Sequence, residues 1–502
     1  MVDTITGNQA LQIEQPLIFE QDEPGRTAVD LPAPTIQEDR LGGLRRKTKV
    51  GLAGLSEPQV VRHYTRLSQK NYGIDSVFYP LGSCTMKHNP RLNEKMARLP
   101  GFGDIHPFQP ESTVQGALEL MDTLAHWLKE LTGMPAVALS PAAGAHGELC
   151  GLMAIRAALE ARGDARKVVL VPESAHGTNP ATAAACGYEV ESIPGDGNGR
   201  VSLAGLKDKL GPHVAAFMVT NPNTCGLFEG EIIEISKAVH DAGALVYMDG
   251  ANYNAIMGRV KVAELGIDAM HINLHKTFST PHGGGGPGAG PTVLSDALAP
   301  FAPLPFVVHG PDGFRMIEHA RDAAEGQQPF GRMKGFHGQF GVFVRALSYM
   351  MSMGKDGLAK ASGDAVLNAN YLQARLKGSL SASYEGPVMH EALFDDRFLK
   401  DTGVSTLDFA KAMIDEGFHP MTMYFPLVVH GALLMEPTET ESKQTLDAFC
   451  DTLLALAAKA KAGNADWFKA APRHTPRGRL DEAQAARKPV LRWTPPAQVA
   501  AE

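Results

Sequence analysis

The stretch NLHKT at residues 273–277 carries the strongest local signal for the fold. It closes the apolar run 270–274 and comes shortly before the glycine run PHGGGGPG at residues 281–288. The run predicts a buried strand with Lys276 at its end, where desolvation would favour a neutral amine that can attack an aldehyde. Taken alone, Lys276 fits a surface lysine beside a flexible loop equally well. A P-loop is excluded, because no GK[ST] closes the glycine run.

The sequence before this stretch alternates between apolar runs and helical patterns. A capping pair at Ser112 and Gln115 predicts the start of an amphipathic helix. Residues 168–171, 214–220, 244–248 and 270–274 then predict buried parallel strands. Such βα alternation is typical of an open, doubly wound sheet, in which ligands bind at the carboxyl ends of the strands.

Asp249, within YMDGAN at 247–252, ends the strand that precedes the one leading to Lys276. By itself it is more often a turn residue. An acid in this place can also pair with the pyridinium nitrogen of pyridoxal 5′-phosphate (PLP) and keep it protonated. Strand-end Asp followed by strand-end Lys resembles the large PLP-dependent aminotransferase superfamily, whose fold type I would be carried here by a mainly parallel sheet.

Two further motifs lie at a helix start or after a predicted strand. Gly144 and Ala145 begin a helix, where small residues let backbone N–H groups approach a phosphate, although tight helix packing explains them as well. His176 follows the strand 168–171, where it could stack on the ring of the cofactor. A lone histidine is more often structural, but the four motifs together favour a cofactor site.

The chain is predicted to have four parts. Residues 1–111 form an amino-terminal arm and extension, and residues 112–305 form the large PLP-binding domain. A smaller α+β domain covers 306–462, and its last helix is predicted to open with a capping pair at Thr438 and Glu441. Residues 463–502 form a tail that wraps over the body.

Composition limits the function classes. Among 502 residues, 55 acidic and 47 basic side chains give a net charge of −8, which argues against a general nucleic-acid surface. The five cysteines have no CxxC spacing, so neither a disulfide framework nor a metal site is expected. Without an export signal or an apolar run long enough for a bilayer, we expect a cytoplasmic protein that does not insert into membranes.

Seven segments lie in order along the chain: YPLGSCTMK at 79–87, AGAHGE at 143–148, AHGTNPA at 175–181, DGAN at 249–252, LHKTF at 274–278, MYFP at 423–426 and EPTE at 436–439. On these segments the chain, from about residue 55 to 495, resembles the glycine decarboxylase family, the P-proteins of the glycine cleavage system. The resemblance implies that Lys276 bears PLP as a Schiff base, that Asp249 pairs with the pyridinium and that His176 stacks on the ring. It also implies that Gly144, Ala145 and Thr277 help to bind the phosphate.

The resemblance covers the carboxyl-terminal half of the long form of these enzymes. It implies a split enzyme in which this chain works with a separate subunit 1, as an α2β2 heterotetramer. The implied reaction decarboxylates glycine and transfers the aminomethyl group to the lipoyl arm of H-protein. An aminotransferase, a β-eliminating lyase and a non-catalytic subunit that has kept the fold are the alternatives.

Overall fold

The computed structural model describes residues 15–33, 35–36, 40–48, 50–282 and 288–493, and the chain divides into two compact units. The first unit comprises Met1–Val77 and Ala470–Glu502. It contains helices α1 (Glu57–Gln69) and α14 (Glu482–Arg487), and Ser56 and Gln59 form a capping box at the start of α1. The second unit, Phe78–Lys469, contains the predicted site residues.

A seven-stranded sheet organises the second unit, with the order β1-β7-β6-β5-β4-β2-β3. Strands β2 to β6 pair in parallel, whereas β7 pairs antiparallel with both β6 and β1. Every residue of β4 is buried, as expected for a strand covered on both faces. The predicted mainly parallel sheet is therefore confirmed. The strands are β1 (Ala136–Ala138), β2 (Val168–Pro172), β3 (Glu189–Ile193), β4 (Val214–Thr220), β5 (Leu245–Asp249), β6 (Ala269–His271) and β7 (Thr292–Leu294).

Helices accompany these strands. The predicted amphipathic helix is present as α4, and Leu118, Met121, Leu124 and Leu128 are buried along it. Its predicted cap is wrong, because the helix begins at Gln115 after Val114, and the Gln115 amide instead donates to the carbonyls of Glu111 and Phe314. The helices up to Lys276 are α2 (Arg91–Ala97), α3 (Pro100–Gly103), α4 (Gln115–Thr132), α5 (Gly144–Ala161), α6 (Thr178–Ala185), α7 (Leu203–Lys209), α8 (Ile232–Asp241) and α9 (Leu274–Thr277).

After β7 the chain forms a hairpin and then a second, antiparallel sheet with the order β10-β11-β13-β12. These elements agree with a carboxyl-terminal α+β region, while the exact division into 112–305 and 306–462 stays a prediction. The strands are β8 (Phe306–Gly310), β9 (Gly313–Ile317), β10 (Ser381–Ala382), β11 (Ala392–Asp395), β12 (Thr422–Met423) and β13 (Leu433–Met435), and the helices are α10 (Phe340–Leu376, broken at Gly354), α11 (Thr406–Asp415), α12 (Lys443–Lys461) and α13 (Ala465–Lys469).

The last long helix, α12, corrects a second capping prediction. It begins at Lys443, and its N-cap is Ser442, whose hydroxyl accepts from the backbone N–H of Thr445 at 3.1 Å. Thr438 and Glu441 lie before the helix, and the Thr438 hydroxyl bonds Thr440 instead. Across the described residues, no helix is long and apolar enough to cross a membrane.

Candidate active site

A cavity of about 140 Å³ lies at the carboxyl ends of the parallel strands. Five of the six predicted site residues line it: Gly144, Ala145, His176, Asp249 and Lys276. They come from four different segments of the chain, so the fold brings together what the sequence keeps apart. The other lining residues are Ser83, Glu148, Thr178, Thr220, Thr224, Ala251, Asn252, His271 and Asn273.

Lys276 lies on a short helix rather than at the end of a strand. Strand β6 ends at His271, Asn273 caps the helical turn α9, and the buried side chain of Leu274 belongs to that turn. The Lys276 Nζ donates a hydrogen bond to the carbonyl oxygen of Ser83 at 3.0 Å. The turn therefore presents the amine to the cavity and to a segment almost 200 residues earlier in the chain.

Asp249 ends β5 and is 3% exposed. One carboxylate oxygen accepts from the side-chain amide of Asn179 at 3.0 Å, and the other accepts from the Ala251 N–H at 2.9 Å. Burial by itself would raise the pKa of Asp249, but the His271 imidazole, these two hydrogen bonds and the charge of Lys276 together lower it. Asp249 is thus held as a carboxylate in the interior.

His271 contacts Asp249 and was not predicted from the sequence. Its Nδ1 lies 2.6 Å from the Tyr247 hydroxyl, whose pKa is raised well above its usual value by burial. The phenol therefore keeps its proton. The other ring nitrogen, Nε2, lies 2.9 Å from Asn273 Oδ1 and 3.5 Å from Asp249 Oδ1, so the ring contacts the carboxylate from one side.

Gly144 and Ala145 form the first turn of α5 at the edge of the cavity. A Cβ at Gly144 would lie 2.8 Å from the Asn273 amide nitrogen, so a larger residue there would force the Asn273 side chain to move. Further along α5, Cβ atoms at Gly147 and Gly151 would lie 2.5 Å from His271 and Tyr247 respectively. The small residues therefore serve both close packing and access to the first-turn N–H groups, which attract anions.

His176 lies in the loop between β2 and α6 and lines the cavity. Its Nδ1 lies 2.9 Å from the Thr178 hydroxyl and 3.3 Å from the Thr178 backbone nitrogen. That hydroxyl donates to Glu148 at 2.8 Å, and Thr182 donates to the same carboxylate at 3.1 Å. The imidazole is thereby held in place by a chain of hydrogen bonds that ends on α5.

Thr277 is the sixth predicted residue and is not among the described residues that line the cavity. It is fully buried, and its carbonyl accepts a hydrogen bond from Lys87 Nζ at 2.7 Å. A role in phosphate binding stays a prediction. Residues 283–287 of the glycine run lie outside the described residues.

Three ionisable groups beside Lys276 are held neutral. Burial, together with the neighbouring His282 and Lys276, lowers the pKa of His275 to about 3, and burial and Lys276 also lower the pKa of His282. Burial raises the pKa of the Cys84 thiol, although Lys276 opposes this effect. Cys84 is therefore not set up as a thiolate nucleophile.

The residues present fit PLP. An amine and a carboxylate face one cavity, a helix amino terminus opens onto it, and the buried Thr220 hydroxyl on its wall has no hydrogen-bond partner among the described residues. The donor set thus matches the aldehyde, the ring nitrogen and the phosphate of such a cofactor.

Comparisons with known proteins also indicate a PLP-dependent enzyme. The family model described as glycine dehydrogenase, C-terminal domain, matches residues 361–473, and that described as aminotransferase class-V matches residues 149–286. A solved structure described as glycine decarboxylase (P-protein) of the glycine cleavage system, in inhibitor-bound form, superposes with a TM-score of 0.67 at 22% identity, covering 85% of this chain and 91% of that one. At this identity the likeness supports the fold.

Two curated relatives are similar over nearly their whole length. A probable glycine dehydrogenase (decarboxylating) subunit 2 of Caulobacter vibrioides is 67% identical over 496 residues, which cover 98% of this chain and 94% of the relative. A protein of the same description from Exiguobacterium sibiricum is 52% identical over 492 residues, covering 97% and 99%.

Proposed function

The chain belongs to the family of glycine dehydrogenase (decarboxylating) subunit 2, and on this basis we propose that it decarboxylates glycine with PLP as cofactor, as part of the glycine cleavage system. The aminomethyl group that remains passes to the lipoyl arm of H-protein, and CO2 is released. The observation that carries the proposal is the cavity in which Lys276 and Asp249 face each other beside the start of α5.

Four of the lining residues are proposed to hold the cofactor. Lys276 would hold the aldehyde carbon of the cofactor covalently, and the Ser83 carbonyl would accept from its amine when that bond is absent. The first-turn N–H groups at Gly144 and Ala145 bind the phosphate. His176, fixed by Thr178, packs against the ring of the cofactor.

PLP supplies an electron-accepting ring, which stabilises the negative charge left on the substrate carbon when CO2 departs. Asp249 serves this chemistry by remaining ionised, so that it holds a proton on the pyridine nitrogen. The hydrogen bonds from Asn179 and Ala251 and the contact with His271 maintain that charge in a buried place.

The side chains that line the cavity also bear on the choice of substrate. Among the described residues that line the cavity there is no arginine, the side chain that would bind the second carboxylate of a larger amino-acid substrate. Transamination of dicarboxylic amino acids is therefore less well supported than decarboxylation of glycine.

The partners belong to the same proposal. The descriptions of the relatives name a subunit 2, so a separate subunit 1 completes the enzyme, and we propose an α2β2 assembly that receives lipoylated H-protein. A cytoplasmic location is proposed as well, supported by five cysteines that are all free.

The test is to purify the chain with and without subunit 1, reconstitute both preparations with PLP, and measure exchange of labelled bicarbonate into glycine in the presence of H-protein. We expect visible cofactor absorbance and exchange from the complex, and little exchange from the chain alone. Full exchange by the chain alone with H-protein would refute the division of the enzyme between two subunits. Absence of exchange from a complex that shows cofactor absorbance would refute the reaction.

A further inference from the structure

A buried acidic cluster lies close to Lys276 but outside the cavity lining. His390, Glu391 and Glu436 are 0%, 0% and 1% exposed, and one side-chain donor atom from each lies within 4.8 Å of the others. Glu391 and His390 directly precede β11, and Glu436 directly follows β13, so the antiparallel sheet places them side by side. Two carboxyl groups so close together in the interior require a specific reason, because burying one charge is already costly.

Both carboxyl groups bind the segment 83–85. Glu391 accepts a hydrogen bond from the Ser83 N–H, and Glu436 accepts one from the Thr85 hydroxyl. The carbonyl of the same Ser83 accepts from Lys276 Nζ. One short segment therefore connects the acidic pair to the reactive amine.

The segment is held firmly and under strain. Ser83 has a φ of +65°, a conformation that side chains other than glycine rarely adopt. The Thr422 hydroxyl donates to the preceding Gly82 carbonyl at 2.7 Å, and Leu81 forms an isolated bridge with Met435. Strained backbone persists where surrounding contacts fix it, which is common where a group must be positioned for function.

The cluster keeps unused hydrogen-bonding capacity. In the described part of the chain, the second carboxyl oxygens of Glu391 and Glu436 and both ring nitrogens of His390 have no hydrogen-bond partner. A group that served only packing would be expected to have its polar atoms satisfied. The free oxygens leave room for a proton to be held by either carboxyl group.

Resting on the proposed role of Lys276, we propose that Glu391 and Glu436 are a proton-holding pair that positions this lysine. Together they fix the Ser83 carbonyl that receives the amine, and the negative charge they share favours its ammonium form whenever it is not bonded to the cofactor. The pair accepts the proton that the Lys276 ammonium must lose before its nitrogen can attack the aldehyde carbon, and it returns a proton to the amine when that bond is broken.

The titration behaviour of the cluster supports this arrangement. Burial raises the pKa of Glu391 to about 7, against the opposing effects of the Ser83 N–H and of Lys276. Burial and the charge of Glu391 raise the pKa of Glu436 well above its usual value. Burial also lowers the pKa of His390 to about 3, so this ring stays neutral and does not compete for the proton.

The ionisable groups that influence the pair come from several elements. Lys276 favours ionisation of both carboxyl groups, and Glu439 opposes ionisation of Glu436. Cys84 also interacts with both carboxyl groups, and its thiol is protonated. Lys276 is therefore the cation to which the pair responds.

The test measures how fast Lys276 captures PLP as a function of pH. The complex with subunit 1, freed of cofactor, is mixed with PLP between about pH 6 and about pH 9, and the product is trapped with borohydride. Mass spectrometry then quantifies the modified Lys276 peptide. The double variant Glu391→Gln with Glu436→Gln removes the ionisable groups but keeps side-chain oxygens that can accept from Ser83 and Thr85.

We expect the pH midpoint for capture to fall by about one unit in the double variant, because the amine loses the charge that favours its protonated form. Capture at neutral pH should become faster by up to about tenfold. The single variant Glu391→Gln should shift the midpoint in the same direction by less, and it replaces the double variant if that protein does not fold.

Glu229→Gln is the matched control. Burial raises the pKa of Glu229 to about 7 as well, but its partners are the Asn223 amide and the Val201 N–H. This variant should leave the capture midpoint unchanged.

The outcomes separate the two levels of the proposal. Capture at Lys276 with an unshifted midpoint in a folded variant, or a loss of rate at every pH without a shift, would overturn the proton-holding role and leave the proposed function standing. No trapped PLP at Lys276 in the unaltered complex would overturn the proposed function itself. A stoichiometric divalent cation that survives dialysis against a chelator would assign the cluster to metal binding and overturn the pair.

Discussion

Two lysines of the second unit, Lys87 and Lys276, lie close together but differ in how many of their hydrogen-bond donors are satisfied. Lys87 is 4% exposed and donates to Asn254 Oδ1 at 2.9 Å, the Thr277 carbonyl at 2.7 Å and Glu439 at 2.6 Å, with Tyr349 at 3.4 Å. Burial alone would lower its pKa, but Glu439 and Tyr349 raise it. Among the described residues, Lys276 makes one side-chain hydrogen bond, to the Ser83 carbonyl.

The difference teaches how the site can be recognised physically. A buried cation with all its donors satisfied is a brace, because moving it would leave a charge uncompensated. A lysine with donors to spare, facing a cavity and a carboxylate, is free to react. Since Lys87 holds the carbonyl of Thr277, the residue next to Lys276, the brace also supports the helical turn that carries Lys276.

The largest effect should come from Lys276→Ala. We expect loss of the borohydride-reducible PLP adduct and of glycine–bicarbonate exchange, because only a primary amine forms that bond. The melting temperature of the complex should stay within a few degrees, because this lysine contributes little to packing. An adduct that persists in the variant would break the comparison, since another lysine would then be the reactive one.

Asp249→Asn should lower turnover by orders of magnitude, because the amide cannot hold the proton on the ring nitrogen. The side chain can still accept from the Ala251 N–H, so most of the fold should remain. Rates of exchange and a visible spectrum of bound PLP give the measurement. Turnover within a few-fold of the unaltered enzyme, with PLP still bound, would show that Asp249 has another role.

Lys87→Met should have the opposite effects to Lys276→Ala, lowering stability while leaving the PLP adduct in place. It leaves Glu439 buried without its cation, so the free energy of unfolding should fall by about 3–5 kcal/mol. The adduct on Lys276 should still form in the fraction that is folded. Chemical denaturation measures the loss, and the double variant Lys87→Met with Glu439→Gln should recover part of it. An unchanged stability would contradict the assignment of Lys87 as a brace.

Local sequence patterns were sufficient to locate the cavity-lining residues that stand at the ends of strands or the starts of helices. Asp249, His176, Gly144 and Ala145 follow apolar runs or begin a helix, and parallel strands bring such positions to one edge of a sheet. The apolar run 270–274 led to the wrong prediction that Lys276 ends a strand, because an apolar residue such as Leu274 suits a buried helical turn as well as a buried strand. Periodicity cannot separate the two over so short a stretch.

Local sequence patterns could not predict the pair formed by Glu391 and Glu436. Glu391 lies 308 residues from the Ser83 N–H that it accepts from, and Glu436 lies 351 residues from Thr85. Segments so far apart meet only through the packing of the second sheet, which has no signature in the local pattern. From the sequence alone, His390 and Glu391 would be interpreted as exposed polar residues, whereas in the structure both are buried just before β11.

The smallest expected effect concerns a carboxylate at the opposite end of the sheet from Asp249. Asp268 precedes β6 and accepts from the Val246 N–H at 2.8 Å and the Ser295 hydroxyl at 3.1 Å, and it lies 2.7 Å from His240 Nε2. The hydrogen bond to Asp268 and its charge raise the pKa of His240, despite some burial.

Because the folded state binds this proton more tightly than the unfolded state, the added stability is fully present below the ordinary histidine pKa and is lost as the pH rises through the raised value. Since His240 is partly exposed, we expect less than about 1 kcal/mol from it. The variant His240→Gln should flatten the fall in melting temperature above about pH 6.5 without changing glycine exchange. Altered exchange would show that the two ends of the sheet are coupled, and an unchanged slope would show that this pair does not titrate with folding.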